Sequence, residues 1–170
     1  MFGKKIKNII ISTFVITFYS MTLSANAMGG LKVSKQTEVN ASPATVWKMI
    51  GDFNHLDVWH PVVVGSDLSG TDNKSGALRK LTLGNGANII EKLVAYSDSD
   101  MTYTYAITES PLPVSDYVST ISVSQSNDGK TVVNWSSSFN AKGAEDSKAI
   151  ETISGIYDAG LGSLSKHFSN

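Results

Sequence analysis

The stretch from Gly76 to Ile107, GALRKLTLGNGANIIEKLVAYSDSDMTYTYAI, decides the fold of this chain. It predicts three consecutive strands, because its side chains alternate in polarity and two turn signals, Gly84–Gly86 and Ser97–Asp100, separate the alternating runs. The face that should point inward holds Ala77, Arg79, Leu81 and Leu83, then Ile89, Glu91, Leu93 and Ala95, then Tyr103, Tyr105 and Ile107. One cation and one anion therefore fall on a face that otherwise resembles a core.

The register of the first hairpin decides whether these two charges meet. A three-residue loop pairs Leu83 with Ala87 and sets Arg79, the only arginine of the chain, directly opposite Glu91. A two-residue loop would pair Arg79 with Lys92 instead, but the alternation on both strands favours the first register. Since buried charge is costly unless it is paired, Arg79 and Glu91 are predicted to form either a structural ion pair or the polar end of a ligand pocket.

The first 27 residues have the pattern of a secretory signal peptide. Three lysines near the start precede the mostly apolar run Ile9–Phe18, and a small-x-small pattern offers a cleavage site after Ala27. The apolar run is shorter than the roughly 20 residues that span a membrane, which argues against a permanent anchor. We therefore predict a cleaved signal peptide over 1–27, one domain over 28–170, and a location in the periplasm or outside the cell.

Composition restricts the partners and the chemistry. Without the three lysines of the leader, 11 basic residues stand against 15 acidic ones, which argues against nucleic acid or an anionic membrane as the main partner. The lack of cysteine excludes disulfides, thiol catalysis and cysteine metal sites. The three histidines show no metal-ligand spacing and no dinucleotide or phosphate motif is present, so neither a metal nor a cofactor is expected.

The rest of the chain predicts further strands and helices around this meander. A strand over Leu31–Val39 is followed by two short helices, the first from Ser42 to Gly51 and the second around residues 54–58. Further strands are predicted over 62–68, 116–123 and 131–139. From about Ala144 the apolar period becomes helical, through Ile150, Ile153, Tyr157, Leu161, Leu164 and Phe168.

This order predicts an α+β helix-grip architecture, in which a curved antiparallel sheet of about seven strands holds a long C-terminal helix across its concave face. Such a layout leaves an apolar cavity between sheet and helix. Its aromatic lining is predicted to comprise Tyr103, Tyr105, Tyr117, Trp135 and Phe139. Gly155, Gly160 and Gly162 interrupt the helix at up to about 1 kcal/mol each relative to alanine, and a cavity wall or a kink would explain them.

Eight motifs carry a resemblance to a known family. In chain order they are ASPATVWKMIGDF, WHP, GALRKLTL, IIEKLVAY, YTYAI, LPVSDYVSTISV, TVVNWSSSF and ETISGIYDAGLGSL. Together they resemble the polyketide cyclase/dehydrase branch of the START-like (SRPBCC) superfamily, which shares the helix-grip fold of the Bet v 1-like birch-pollen allergens. The resemblance covers Leu31 to Phe168 and rests on order and spacing. Among exported members, the chain is similar to the periplasmic methanol-oxidation accessory proteins.

The resemblance implies a deep hydrophobic cavity under the C-terminal helix. Members of the family include ligand carriers, lipid-transfer domains, cyclases and dehydratases, so the fold alone does not decide the function.

Arg79 and Glu91 are the best catalytic candidates. Arginine can bind a carboxylate or enolate oxygen, and a desolvated glutamate can act as a general acid or base because burial raises its pKa. With a tyrosine to orient a substrate oxygen, the pair could support proton abstraction beside a carbonyl, dehydration or ring closure without a cofactor. The alternative is an ion pair that only ties two strands together.

The motif Trp59-His60-Pro61 is the second candidate and is expected near the cavity mouth. His60 has a pKa suited to acid–base work, but Trp59 could instead pack under the helices while His60 caps a turn. Asp116 is expected to begin a strand, and His55 and His167 are expected at the surface.

The combined prediction is an exported, monomeric protein that binds a small apolar or amphipathic molecule. Its predicted ligand-binding residues are Trp59, His60, Tyr103, Tyr105, Tyr117, Trp135 and Tyr157. The first alternative is a cofactor-free cyclase, dehydratase or isomerase that uses Arg79 and Glu91. The second is an accessory protein whose outer surface binds a periplasmic dehydrogenase.

Overall fold

The computed structural model of the protein describes residues 30–169, which form one seven-stranded sheet, two short helices and one long helix. In chain order the elements are β1 (Leu31–Val39), α1 (Pro43–Ile50), α2 (Leu56–Trp59), β2 (Val63–Ser69), β3 (Leu78–Leu83), β4 (Asn88–Ser97), β5 (Thr102–Glu109), β6 (Val114–Gln125), β7 (Thr131–Ala141) and α3 (Asp146–His167). This order confirms the predicted α+β helix-grip class. The predicted signal peptide lies outside the described residues.

The sheet is antiparallel throughout, with the strand order β1-β7-β6-β5-β4-β3-β2. Strands β2 to β7 form one meander, because each pairs with the next along the chain. The first strand joins at the far edge beside β7, and α3 packs mainly on β1. None of the helices in this part of the chain is long and apolar enough to cross a membrane.

The β3–β4 hairpin has the register that a three-residue loop predicts. The amide of Leu83 donates to the carbonyl of Ala87 at 2.8 Å, and Arg79 lies opposite Glu91. Gly86 in the loop has a φ of 83°, a left-handed conformation that glycine adopts without a steric penalty. The two charged residues therefore lie on one face of neighbouring strands.

Two irregularities in the sheet correct the sequence prediction. The pairing of β4 with β5 shifts between Leu93 and Ala95, so Ala95, predicted to point inward, is exposed. The pairing of β6 with β7 shifts between Ser115 and Val118. Asp116 therefore lies at this shift inside β6 with a φ of 52°, rather than at the start of a strand.

The helices begin and end close to the predicted positions. Ser42 caps α1 by accepting a hydrogen bond from the amide of Thr45 at 3.2 Å. On α3 the buried stripe consists of Ala149, Ile153, Tyr157, Gly160, Leu161 and Leu164. The prediction that Ile150 belongs to this stripe was wrong: Ile150 is 36 % exposed, and the helix turns Ala149 inward in its place.

Candidate functional site

A cavity of about 190 Å³ lies between the first half of α3, α2 and the inner faces of β2 to β7. Its lining residues are Leu56, His60, Val62, Val63, Leu81, Leu83, Ile89, Glu91, Tyr105, Ile107, Leu112, Tyr117, Trp135, Thr152, Ile153 and Ile156. The wall is overwhelmingly apolar, and Glu91 is its one carboxylate. An apolar cavity with few polar groups is the usual form of a small-molecule site.

The structure divides the predicted site residues into two groups. Those that line the cavity are His60, Glu91, Tyr105, Tyr117 and Trp135. Those that are buried but do not line it are Trp59, Arg79, Tyr103 and Tyr157. Phe139, predicted as part of the aromatic lining, is also buried away from the cavity. The second group supports the cavity wall from behind.

Glu91 connects the cavity to the core of the protein. Its Oε2 accepts a hydrogen bond from Nε of Arg79 at 2.6 Å, and its side chain is 5 % exposed. Its other oxygen, Oε1, accepts no side-chain hydrogen bond from residues 30–169. The carboxylate is therefore tied on one side to the sheet and free on the side of the cavity.

Arg79 is completely buried and reaches the cavity only through Glu91. Its Nη1 donates to the carbonyl of Phe53, and its Cζ lies 4.2 Å from the ring centroid of Phe53 and 5.0 Å from that of Tyr105. Such cation–π contacts are stronger when they are desolvated. Nη2 has no hydrogen-bond partner within the described chain. The guanidinium is thus held by one ion pair, one carbonyl and two aromatic rings.

Burial and mutual charge act in opposite directions on the pKa of each member of this pair. Burial raises the pKa of Glu91 above the ordinary carboxyl value, and the charge and hydrogen bond of Arg79 partly oppose that rise. Burial lowers the pKa of Arg79, but the charge and hydrogen bond of Glu91, together with Tyr103 and Tyr105, raise it by more, so the guanidinium stays charged. Burial thus favours the protonated form of Glu91, and the neighbouring guanidinium favours the ionised form.

Behind the cavity, buried hydroxyl groups form a connected network. The hydroxyl of Tyr157 lies 2.5 Å from that of Tyr117 and 2.9 Å from Oγ of Ser119. The indole Nε1 of Trp135 donates to Ser119 Oγ and to the hydroxyl of Tyr105, both at 3.0 Å. Tyr157 also stacks on Trp135 with ring centroids 4.3 Å apart. These contacts fix the orientations of Tyr105 and Tyr117 in the cavity wall.

His60 is a buried, hydrogen-bonded histidine at the end of α2. Its Nε2 lies 3.0 Å from the carbonyl of Ile156 on α3, and its Nδ1 accepts from the amide of Val62 at 3.4 Å. Burial lowers the pKa of His60, against the hydrogen bond to Ile156, which raises it. The neutral ring with its proton on Nε2 satisfies both contacts. His60 therefore joins α2 to α3 and leaves neither ring nitrogen free for acid–base work.

Gly160 makes this approach of α2 to α3 possible. A Cβ at position 160 would lie 2.6 Å from Cδ2 of His60, 2.8 Å from the ring of Trp135 and 3.0 Å from that of Trp59. At Gly155 and Gly162, in contrast, a Cβ would meet nothing within 4 Å. Of the three glycines that interrupt the helix, Gly160 has a packing reason, and that reason is close contact with aromatic rings rather than a cavity wall or a kink.

Sequence reasoning assigned no role to several residues that build this site. Ser119 lies on β6, but its position at the centre of the hydroxyl network depends on contacts with β7 and with α3. Phe53 holds Arg79 from the loop between α1 and α2, 26 residues away in sequence. A small polar residue on an otherwise apolar strand face was the available signal for Ser119. No local signal marks Phe53.

The other titratable residues of the described part of the chain form no recognisable site. His55 is exposed beside Asp52 and His167 is exposed at the end of α3. Asp116 is exposed and accepts a hydrogen bond from Asn140 at 3.1 Å. Among residues 30–169, no group of three or more histidine, cysteine, aspartate or glutamate residues is placed to hold a metal ion.

Comparison with known proteins places this arrangement among its relatives. Residues 30–169 match the family described as polyketide cyclase/dehydrase and lipid transport. The fold is similar to that of the protein XoxI from Bacillus cereus, with 34 % identity, a TM-score of 0.76, and coverage of 82 % of this chain and 96 % of that one. The fold is also similar to that of an uncharacterized protein from Bacillus thuringiensis, with 33 % identity, a TM-score of 0.77, and coverage of 82 % of this chain and 100 % of that one.

A more distant structure shares the fold alone. The major latex-like protein 151 of Panax ginseng is 21 % identical, with a TM-score of 0.67 and coverage of 81 % of this chain and 96 % of that chain. A search of curated proteins found no match to the chain.

Proposed function

The chain belongs to the polyketide cyclase/dehydrase and lipid transport family, and from that premise we propose that it is an exported protein that binds a small apolar molecule in the cavity beneath α3. One observation carries the proposal: an apolar cavity of about 190 Å³ contains a single carboxylate, of which one oxygen is free. A ligand with an apolar body and one polar group fits that distribution.

The volume of the cavity limits the size of the ligand. An apolar cavity of about 150 Å³ is large enough to hold benzene, so a cavity of about 190 Å³ holds a single ring with one or two substituents. A long lipid chain or a fused polyketide ring system would need the wall to move. The ligand is therefore smaller than the name of the family suggests.

The rim of the cavity offers an entry route. Leu83, Ile107, Leu112, Thr152 and Ile156 line the cavity and are only half-buried, and Val62 beside them is 44 % exposed. An apolar ligand could pass between the first half of α3 and the β5–β6 loop without crossing a charged side chain. Export rests on the pattern of residues 1–27 alone, and N-terminal sequencing of protein from the periplasm should then begin at Met28.

Native mass spectrometry tests the binding function directly. The protein is purified from the organism that makes it, its intact mass is recorded without denaturation, and the bound material is extracted into solvent. We expect a one-to-one adduct whose added mass corresponds to a molecule of one ring or similar size. Solvent extraction should release it unchanged, because the proposed binding uses apolar contacts and hydrogen bonds rather than a covalent bond.

Two isoleucines of α3 provide a matched pair of variants. Ile156→Trp should fill the cavity and abolish the adduct, since Ile156 lines it. Ile150→Trp should retain the adduct, since Ile150 is exposed and does not line the cavity. An adduct that survives in Ile156→Trp would place the ligand elsewhere. A clean mass in every form, with no uptake of added toluene, would overturn the proposal.

A cofactor-free enzyme is the second candidate function, because burial raises the pKa of Glu91 and its free oxygen faces the cavity. Glu91 would take a proton from carbon beside a carbonyl and return it elsewhere on the same molecule. In that case the extracted ligand, incubated with fresh protein, is converted to an isomer or a dehydrated product. Glu91→Gln should stop the conversion while the adduct persists; unchanged ligand with the native protein would exclude this candidate.

A further inference from the structure

The hydrogen bonds at the cavity wall determine which polar groups there lack a partner. A hydroxyl group donates one hydrogen bond and can accept two, whereas an indole nitrogen only donates. The network behind the cavity contains enough fixed donors and acceptors for the direction of each bond to be assigned in turn.

Ser119 sets the first direction. Its Oγ donates to the carbonyl of Ser136 at 2.9 Å, and this bond uses its only proton. Ser119 must then accept from its other two partners, the indole of Trp135 and the hydroxyl of Tyr157. Because Tyr157 gives its proton to Ser119, the hydroxyl of Tyr117 donates to Tyr157. The proton of Tyr117 is therefore used within the fold.

The hydroxyl proton of Tyr105, in contrast to that of Tyr117, is not used within the described part of the fold. Its hydroxyl oxygen accepts from Trp135, but within residues 30–169 its own proton has no hydrogen-bond acceptor. Its side chain is almost completely buried and lines the cavity. A buried hydroxyl proton without a partner costs free energy that a bound acceptor would recover.

Glu91 and Tyr105 lie close enough to share one ligand group. Glu91 pairs with Ile107 across β4 and β5, and Tyr105 precedes Ile107 by two residues on the same inward face. The two side chains are therefore diagonal neighbours on adjacent strands, a separation that long side chains bridge. Both residues line the cavity, and within residues 30–169 one has an unused acceptor and the other an unused donor.

We infer that the cavity binds a small, neutral, hydroxyl-bearing ring, whose hydroxyl group donates to Oε1 of Glu91 and accepts from the hydroxyl of Tyr105. This inference rests on the proposed binding function and adds the chemical class of the ligand. A single hydroxyl satisfies both groups at once. An ether or a ketone can satisfy Tyr105 but offers no proton to Glu91, and a cation would meet a carboxylate that Arg79 already neutralises.

Three probes of similar size separate these contributions. Phenol has a hydroxyl group, anisole has the same oxygen without its proton, and toluene has only the apolar body. Each is titrated into the full-length protein at neutral pH, and binding is followed by NMR line shifts of the protein. Because a hydrogen bond to a charged acceptor is worth more than a neutral one, phenol should bind about tenfold or more tightly than anisole or toluene.

The two adjacent tyrosines of β5 supply the variants. Tyr105→Phe should reduce the affinity for phenol about three- to tenfold and leave that for toluene unchanged, because only the donor is lost. Tyr103→Phe is the matched control: its side chain is buried and lies outside the cavity, so phenol binding should stay at the native value. Tyr105→Phe leaves the indole of Trp135 with Ser119 as its acceptor.

Each outcome of this series has one meaning. A preference for phenol that Tyr105→Phe weakens and Tyr103→Phe does not would support the assignment. Equal affinities for phenol, anisole and toluene would overturn it while leaving the binding function intact. No binding of any probe would overturn the binding function itself. A preference for phenol that Tyr105→Phe does not change would refute the role given to Tyr105.

Discussion

Replacing Gly160 by alanine tests whether the contact between α2 and α3 is as tight as the structure shows. The added Cβ would lie 2.6 Å from Cδ2 of His60 and 2.8 Å from Trp135, closer than a methyl group can approach a ring. Both rings are buried, and His60 is also held by the carbonyl of Ile156. Neither can move aside without disturbing the network or the core.

The size of the effect follows from two opposing contributions. Overpacking of a core costs about 1–3 kcal/mol, whereas replacing glycine by alanine inside a helix gains up to about 1 kcal/mol. Displacement of His60 would also weaken its hydrogen bond to Ile156, at about 1 kcal/mol. We expect Gly160→Ala to lower the free energy of unfolding by about 1–3 kcal/mol, or several degrees in Tm for a chain of this size.

The same helix contains its own controls. Gly155→Ala and Gly162→Ala add a methyl group that meets nothing within 4 Å, so each should raise the free energy of unfolding by about 0.5–1 kcal/mol. Urea unfolding of the three variants, followed by tryptophan fluorescence and by helical circular dichroism, gives the comparison. If Gly160→Ala stabilised the protein as much as the other two, the close packing of α3 on His60 and Trp135 would be refuted.

Three further predictions concern the buried polar groups. Glu91→Gln leaves the charge of Arg79 unpaired and should lower the free energy of unfolding by about 3–5 kcal/mol. The double variant Arg79→Met with Glu91→Leu should recover much of that loss, because it removes both charges. Urea unfolding of the single and double variants measures both effects. Burial lowers the pKa of His60, so the folded state favours the neutral ring. The contribution of His60 to the free energy of unfolding is therefore fully present above the ordinary pKa of 6.5 and is lost as the pH falls through the lowered pKa of the folded state. His60→Gln should flatten that part of the stability–pH curve, and urea unfolding that gives the same curve for the variant and the native protein would contradict this. Tyr157→Phe should cost about 1–3 kcal/mol in a thermal melt by breaking its bonds to Ser119 and Tyr117, and a neutral result would contradict the network.

Local alternation was sufficient to predict the parts of the fold that position Glu91. The period of two on β3 and β4, with a turn of three residues, fixes the pairing of Arg79 with Glu91, since the other register would have split the charges across the faces. The period of α3 likewise located its buried stripe, apart from Ile150, which neighbouring Ala149 replaces. Both predictions depend only on residues close in sequence.

The parts that sequence could not supply depend on contacts between distant elements. Ala95 was predicted inward because alternation continues without interruption in the sequence, whereas the bulge that exposes it arises in the pairing with β5. The sequence identifies Gly160 as an unfavourable residue inside a helix, but its presence is explained by the close approach of the ring of His60, 100 residues away in the chain. The position of Arg79 likewise depends on Phe53, whose carbonyl and ring contact the guanidinium from 26 residues away in the chain.

The sequence left two interpretations of Arg79 and Glu91, a structural ion pair or the polar end of a pocket, and the geometry makes them one arrangement. Nε of Arg79 holds Oε2, Nη1 holds the carbonyl of Phe53, and the flat guanidinium packs against two rings. Lysine could not make these contacts together, because its ammonium group is a point charge without a planar face. Arg79 thereby immobilises one oxygen of Glu91 and orients the other toward the cavity. The structural pair is what makes the free oxygen of Glu91 a fixed acceptor, and a fixed acceptor loses little entropy when a ligand binds.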